Sequence, residues 1–123
     1  MRLSFVVALA LVPAVASADK TYSDGKGGTW DCTKDPVIKI TKGGGTYTVT
    51  GACKSVEITG GDVILHAAAV EALTITGGGN MVDVGEVEAI TVNGAGNKVT
   101  WKKAKGDKPT TNVIGNNNTV ARG

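Results

Sequence analysis

From Val37 onward the chain alternates apolar and polar residues in short runs. Val37-Ile-Lys-Ile40, Val56-Glu-Ile-Thr59, Leu73-Thr-Ile-Thr76 and Ile90-Thr-Val-Asn93 each place apolar side chains two residues apart, as do Val82/Val84 and Val99/Trp101. A period of two puts such a set on one face of a β-strand. The residues between, Glu57, Thr59, Thr74, Thr76, Thr91 and Asn93, are then expected to face water. No run keeps a helical period long enough to compete, so the pattern predicts strands throughout. Threonine between the apolar positions fits this, because it is a good exposed strand residue.

The strands repeat. Residues 73–84 return as 90–101 at a spacing of 17, with Gly77-Gly-Gly-Asn80 reappearing as Gly94-Ala-Gly-Asn97. Gly60, Gly77 and Gly94 stand 17 apart, and Gly115 follows after 21 because a charged stretch, residues 102–109, is inserted. A period near 20 residues implies a stacked array of units that cannot bury their apolar faces alone. The expected fold is therefore all-β: a small parallel β-solenoid of about five coils, two short strands per coil, preceded by an N-terminal cap. Equivalent strands would stack about 4.8 Å apart, Ile58 under Ile75 under Val92. A meander of hairpins would explain the glycines but not the recurrence of residue types in register. Gly60, Gly77, Gly94 and Gly115 mark sharp turns where positive φ is expected. Asn80, Asn97 and Asn118, just before a strand, can bond amide to amide along the stack.

The first 18 residues read differently. A basic start at Arg2, an apolar run from Leu3 to Val15 and the small-x-small site Ala16-Ser-Ala18 form a secretory signal peptide, too short and too proline-broken for a membrane span. The expected division is 1–18 signal peptide, 19–36 N-terminal cap and 37–123 repeat domain, with a periplasmic or extracellular destination. Without residues 1–18 the chain keeps 12 of its 13 basic residues and all 11 acidic ones. That balance gives no electrostatic case for nucleic acid or an anionic membrane. Cys32 and Cys53 are the only cysteines, and an even pair in an exported chain reads as a disulfide. A metal pair would need two further ligands where only one histidine exists. Trp30 is expected to cover the end of the core.

Catalytic chemistry has few candidates. His66 is the sole histidine, the cysteines are expected to be paired, and Asp62, Asp83, Glu86 and Glu88 are spread along the repeat. The glycine turns carry no Gly-Lys-Ser/Thr and no following helix, so they are not phosphate loops. Calcium-binding repeats need aspartate at the sixth position of Gly-Gly-x-Gly-x-Asp, where Gly77-Gly-Gly-Asn-Met-Val82 has valine. No catalytic residue, cofactor or metal site is assigned. Thr59, Thr74, Thr76, Thr91 and Asn93 form a candidate surface-binding strip, interrupted by Glu57. The stretch 102–108, rich in lysine, reads as a solvated excursion.

Taken together, the export signal, Cys32, Gly51-Ala-Cys53 and the units Thr74-Ile-Thr-Gly-Gly-Gly-Asn-Met-Val82, Ile90-Thr-Val-Asn-Gly-Ala-Gly-Asn-Lys-Val-Thr-Trp101 and Ile114-Gly-Asn-Asn-Asn-Thr-Val120 resemble the bacterial "domain of unknown function 3060" family. The resemblance spans about residues 30–120. It implies a small exported β-solenoid-like domain, with members found as lipoproteins or secreted proteins, and brings no activity and no catalytic residue. The second unit departs from the pattern: Gly60-Gly-Asp-Val-Ile-Leu65 lacks the Gly-Asn step. The reading is an exported, non-enzymatic binding or structural module of the envelope or medium. The alternative is a small carbohydrate-active or glycan-binding protein using a solenoid face. Candidate partners are an envelope polysaccharide or another envelope protein. A mostly monomeric state is expected, with some end-to-end self-association through exposed strand edges.

Overall fold

The computed structural model describes residues 20–123, so the expected signal peptide lies outside the described residues. Nine strands follow one another: β1 (Lys20–Tyr22), β2 (Gly28–Asp31), β3 (Val37–Ile40), β4 (Thr46–Thr59), β5 (Ile64–Gly78), β6 (Met81–Ala95), β7 (Lys98–Ala104), β8 (Thr110–Ile114) and β9 (Thr119–Arg122). Every pairing between them is parallel. The described residues contain no helix, and the sheet winds into a β-solenoid of about six turns.

The count exceeds the expected five because residues 20–31 are themselves a coil. Lys20 pairs with Ile38 and Gly28 with Tyr47, steps of 18 and 19 that continue the stack beyond Val37. The coils also differ from two short strands. In β4, β5 and β6 the strand continues for 14 or 15 residues, nearly a whole turn. Direction changes show instead in the burial phase. In β5 the inward residues are Leu65, Ala67, Val70, Leu73 and Ile75, so the alternation skips a beat at 68–69 and again at 71–72. Two consecutive outward residues make a corner without loss of hydrogen bonds. Each coil thus has three straight segments, and the glycine turn closes the third corner.

One irregularity sets the period. Between Val49 and Ala52 the register slips, so the step falls from 18 residues to 17 at the extra residue. Gly51 sits there at φ +79°, a left-handed conformation that glycine adopts without steric cost.

The core is a set of inward columns. One of them runs Trp30, Val49, Ala67, Val84, Trp101 and finally Arg122, bulky at its ends and small in the middle. At one end the Lys20 ammonium lies 5.0 Å from the centre of the Trp30 ring, whose Nε1 donates to the Asp35 carbonyl at 3.1 Å. At the other the Arg122 guanidinium lies 5.3 Å from the Trp101 ring. Cation–π contact lets a charged residue cover an aromatic that would otherwise meet water. A second column, Cys53, Val70, Val87 and Ala104, is closed at its start by the Cys32–Cys53 disulfide. That bond clamps the first coil to the next, worth roughly 3 kcal/mol for a loop of its length in the chain-entropy model.

The last coil is open. β6 pairs with β7 along its first half and with β8 along its second, separated by an excursion at 105–109. Lys102 and Lys103, expected in that loop, belong instead to β7 because Trp101 and Ala104 still point inward on either side of them. Thr111 and Val113 continue the columns of Ile90 and Val92, and no described coil covers them. Val113 and Ile114 stay 42% and 54% exposed.

This architecture forbids a side chain at the glycine corner. A Cβ on Gly94 (φ +148°) would collide with the carbonyl oxygen of Gly77 one coil below, whereas one on Gly106 meets no atom within 4 Å. Gly94→Ala should lower the thermal midpoint by on the order of 10–20 °C, with Gly106→Ala indistinguishable from the parent. Circular dichroism melts check this, and a Gly94→Ala midpoint close to the parent's would contradict the stacking.

Candidate functional site

Three groups of outward or turn residues are brought together by the coil. The first is the glycine–asparagine corner. Gly44, Asp62, Gly79, Gly96 and Asn117 occupy equivalent positions, all with φ between 58° and 82°. Only glycine, asparagine and aspartate take this left-handed conformation readily, which is why the pattern tolerates Asp62 there. The next residue in each coil turns inward: Val63, Asn80, Asn97 and then Asn118. Asn80 Nδ2 donates to Asn97 Oδ1 at 2.9 Å, and Asn97 Nδ2 donates to Asn118 Oδ1 at 3.0 Å. Each amide donates its second proton to the glycine carbonyl of the coil below: Asn80 to Gly60, Asn97 to Gly77, Asn118 to Gly94. The backbone N–H groups of Val63, Asn80 and Asn97 donate to the side-chain oxygens of Asn80, Asn97 and Asn118. The column ends at Val63, whose apolar side chain is fully buried.

The second group is the threonine strip. Thr74 and Thr91 stand in register in one outward column, and Thr59, Thr76 and Asn93 in the next. Glu57 precedes Thr74 and Asn112 follows Thr91, while Ile114 ends the other column. The five residues therefore lie side by side on one straight segment, Thr59, Thr76 and Asn93 exposed and the other two half-buried.

The third group was not singled out from the sequence as a site. His66, Asp83 and Thr100 align on successive coils of β5, β6 and β7. His66 Nδ1 lies 3.9 Å from Asp83 Oδ2, and Thr100 Oγ1 donates to Asp83 Oδ1 at 3.2 Å. Both His66 and Asp83 remain about half exposed. Beside this row the small residues Ala68 and Gly85 leave a trough of about 290 Å³, bounded by Thr48 and Thr50 at one end and Lys102 at the other. A smaller hollow on the far side of the row includes Lys98. The signal that finds the row is the repeat itself, because 66, 83 and 100 are spaced by 17. Reading His66 as a lone base and Asp83 as a scattered acid hid it.

Elsewhere, Glu71, Glu86 and Glu88 line a groove of about 260 Å³, with Lys105 3.9 Å from Glu88. Among the described residues no group of three or more His, Cys, Asp or Glu side chains is placed to hold a metal ion. Titration is shifted near the first coil. The backbone N–H and then the hydroxyl of Thr33, both donating to Asp31 Oδ1, hold the Asp31 carboxyl below its ordinary value. Burial, then the neighbouring Tyr47 and Asp24, pushes the Tyr22 phenol up. Asp31's contribution to stability is therefore present above the ordinary carboxylate value and is lost as pH falls through its lowered one.

The family model for the "Protein of unknown function (DUF3060)" matches residues 63–117. The resemblance read from the repeat is thus shown over that stretch. The matched stretch takes in Val63, Asn80, Asn97 and the whole His66–Asp83–Thr100 row, just under half of the 123 residues. No curated protein and no solved structure matches the chain.

The corner makes a graded demand on its asparagines. Asn97 is 1% exposed and its side chain makes four of the bonds above, whereas Asn118 is half-buried. Asn97→Ala strands the Asn80 donors and the Gly77 carbonyl, leaves the Asn118 oxygen only the backbone N–H of residue 97, and should cost on the order of 3 kcal/mol or more. Asn118→Ala should cost about half that or less, since Asn118 is itself partly exposed and water can take the place of its amide. Urea unfolding of the two variants measures both, and equal losses would contradict a continuous ladder.

Proposed function

We propose that this protein is an exported, non-enzymatic β-solenoid module that serves the cell envelope or the surrounding medium as a rigid binding or structural element. The observation that carries the reading is the in-register repetition of outward polar side chains on a stack clamped by a buried disulfide. Parallel coils hold the hydroxyl and amide groups of Thr59, Thr76 and Asn93 in one fixed column, which suits recognition of a repetitive ligand better than chemistry on one bond. The disulfide fits an oxidising compartment, and no helix among the described residues is long and apolar enough to cross a membrane. Envelope polysaccharide and a neighbouring envelope protein are the partners proposed. The module is mostly monomeric in this reading, with self-association confined to the open edges β8 and β9.

A second reading, a glycan-binding or carbohydrate-active protein, draws support from the trough beside His66 and Asp83, where a base and an acid sit on adjacent coils.

Expression of the full chain in a bacterial host, followed by fractionation and intact-mass measurement, tests export. The expected product starts at Asp19, lies outside the cytoplasm and is two hydrogens lighter than the reduced chain. Full-length protein with two free thiols in the cytoplasm would overturn that part. A glycan array run beside a hydrolase screen should give binding without turnover. Turnover abolished by Asp83→Asn would replace the non-enzymatic reading with the carbohydrate-active one.

A further inference from the structure

We infer that the trough between Thr50 and Lys102 binds an acidic saccharide, with the carboxylate on Lys102 and one ring hydroxyl held between His66 and Asp83. The inference rests on the glycan-binding reading and names its ligand class and site. Three features of the trough select this chemistry.

The first is the gap in the His66–Asp83 pair. At 3.9 Å the two atoms are too far apart to hydrogen-bond directly, yet both remain accessible. A single hydroxyl inserted there donates to Asp83 Oδ2 and meets Nδ1 of His66 on its other side. Thr100, bonded to Asp83 Oδ1, fixes the carboxylate so that Oδ2 faces the gap. The second is the floor. Ala68 and Gly85 present backbone and methyl only, and Gly85 cannot carry a Cβ, which would press on the Ala68 carbonyl oxygen. The coil geometry therefore keeps this strip bare, and a flat ring can lie on it. The third is charge. Lys102 stands one coil beyond Gly85 in the same column, its ammonium in no ion pair with any described residue, and Lys98 flanks the row from the other side. A charge-assisted bond from an ammonium to a carboxylate is about twice as strong as a neutral one.

Other occupants fit less well. A metal ion would find two ligands and two nearby ammonium groups. A neutral sugar would find no aromatic ring among the lining residues to stack on. A polyphosphate strand would meet the Asp83 carboxylate in the middle of the groove.

Titration of ¹⁵N-labelled mature protein with trigalacturonic acid, and separately with its methyl ester, tests the assignment by amide chemical shifts. The expected shifts cluster at residues 48–50, 66–68, 83–85 and 100–102 with the acid, and the ester binds at least about tenfold more weakly. Lys102→Ala and Asp83→Asn, both surface changes that leave the Thr100 and Arg122 contacts possible, should each weaken binding by about tenfold while the spectrum stays folded. Shifts confined to Thr59, Thr74, Thr76 and Thr91 would overturn the site and leave the glycan-binding reading standing. Equal affinity for acid and ester would overturn the role of Lys102. No shift with either probe would overturn the inference, and an empty glycan array beside it would remove the glycan-binding reading as well.

Discussion

Everything in this protein depends on how closely one coil can approach the next at the glycine corner. A parallel stack needs its backbones about 4.8 Å apart all the way round, and at a sharp turn that distance leaves no room for a Cβ. Gly77, Gly94 and Gly115 each face a glycine carbonyl of the coil below, and the same carbonyls accept a proton from Asn80, Asn97 and Asn118. Close approach and hydrogen-bond satisfaction are thus one arrangement. A larger residue would push the coils apart, and without the asparagine the carbonyl buried by that approach would lose its partner. Buried polar networks reward complete satisfaction and penalise partial loss, which makes this corner a strict constraint on sequence.

From that corner the rest follows with more latitude. Once the step is fixed, inward columns need only be apolar and complementary in volume, as in the run from Trp30 through Ala67 to Trp101. The ends of the stack are closed by unlike means: a disulfide, Tyr22 on Tyr47 and Lys20 over Trp30 at the start, Arg122 over Trp101 at the finish. The outward positions are freed from packing altogether, and it is there that any recognition must be written.

The same logic explains what could be read in advance. The 17-residue spacing and the alternation of Leu73/Ile75 and Ile90/Val92 reveal the solenoid because a repeating environment imposes repeating residues. The family resemblance rests on that spacing too, and the model match over residues 63–117 shows it there. The first coil was harder to see. Residues 20–31 pair with steps of 18 and 19, and their glycines Gly25 and Gly27 stand 18 rather than 17 residues before Gly43 and Gly45 with no Gly-Asn step after them, so they read as a cap. Unbroken strands were missed because a corner made of two successive outward residues, such as Ala68-Ala69, leaves no turn former behind. The His66–Asp83–Thr100 row was hidden for the opposite reason. Its members differ in residue type, so only their common spacing joins them.

The central claim is that the asparagine ladder and the glycine carbonyls hold the coils in register, and hydrogen exchange tests it directly. The backbone amides of Val63, Asn80 and Asn97 and the side-chain amide protons of Asn80 and Asn97 should be among the slowest to exchange, requiring near-global unfolding. Exchange of those protons at rates comparable to residues 105–109 would show that the corner opens freely, and the account would fail.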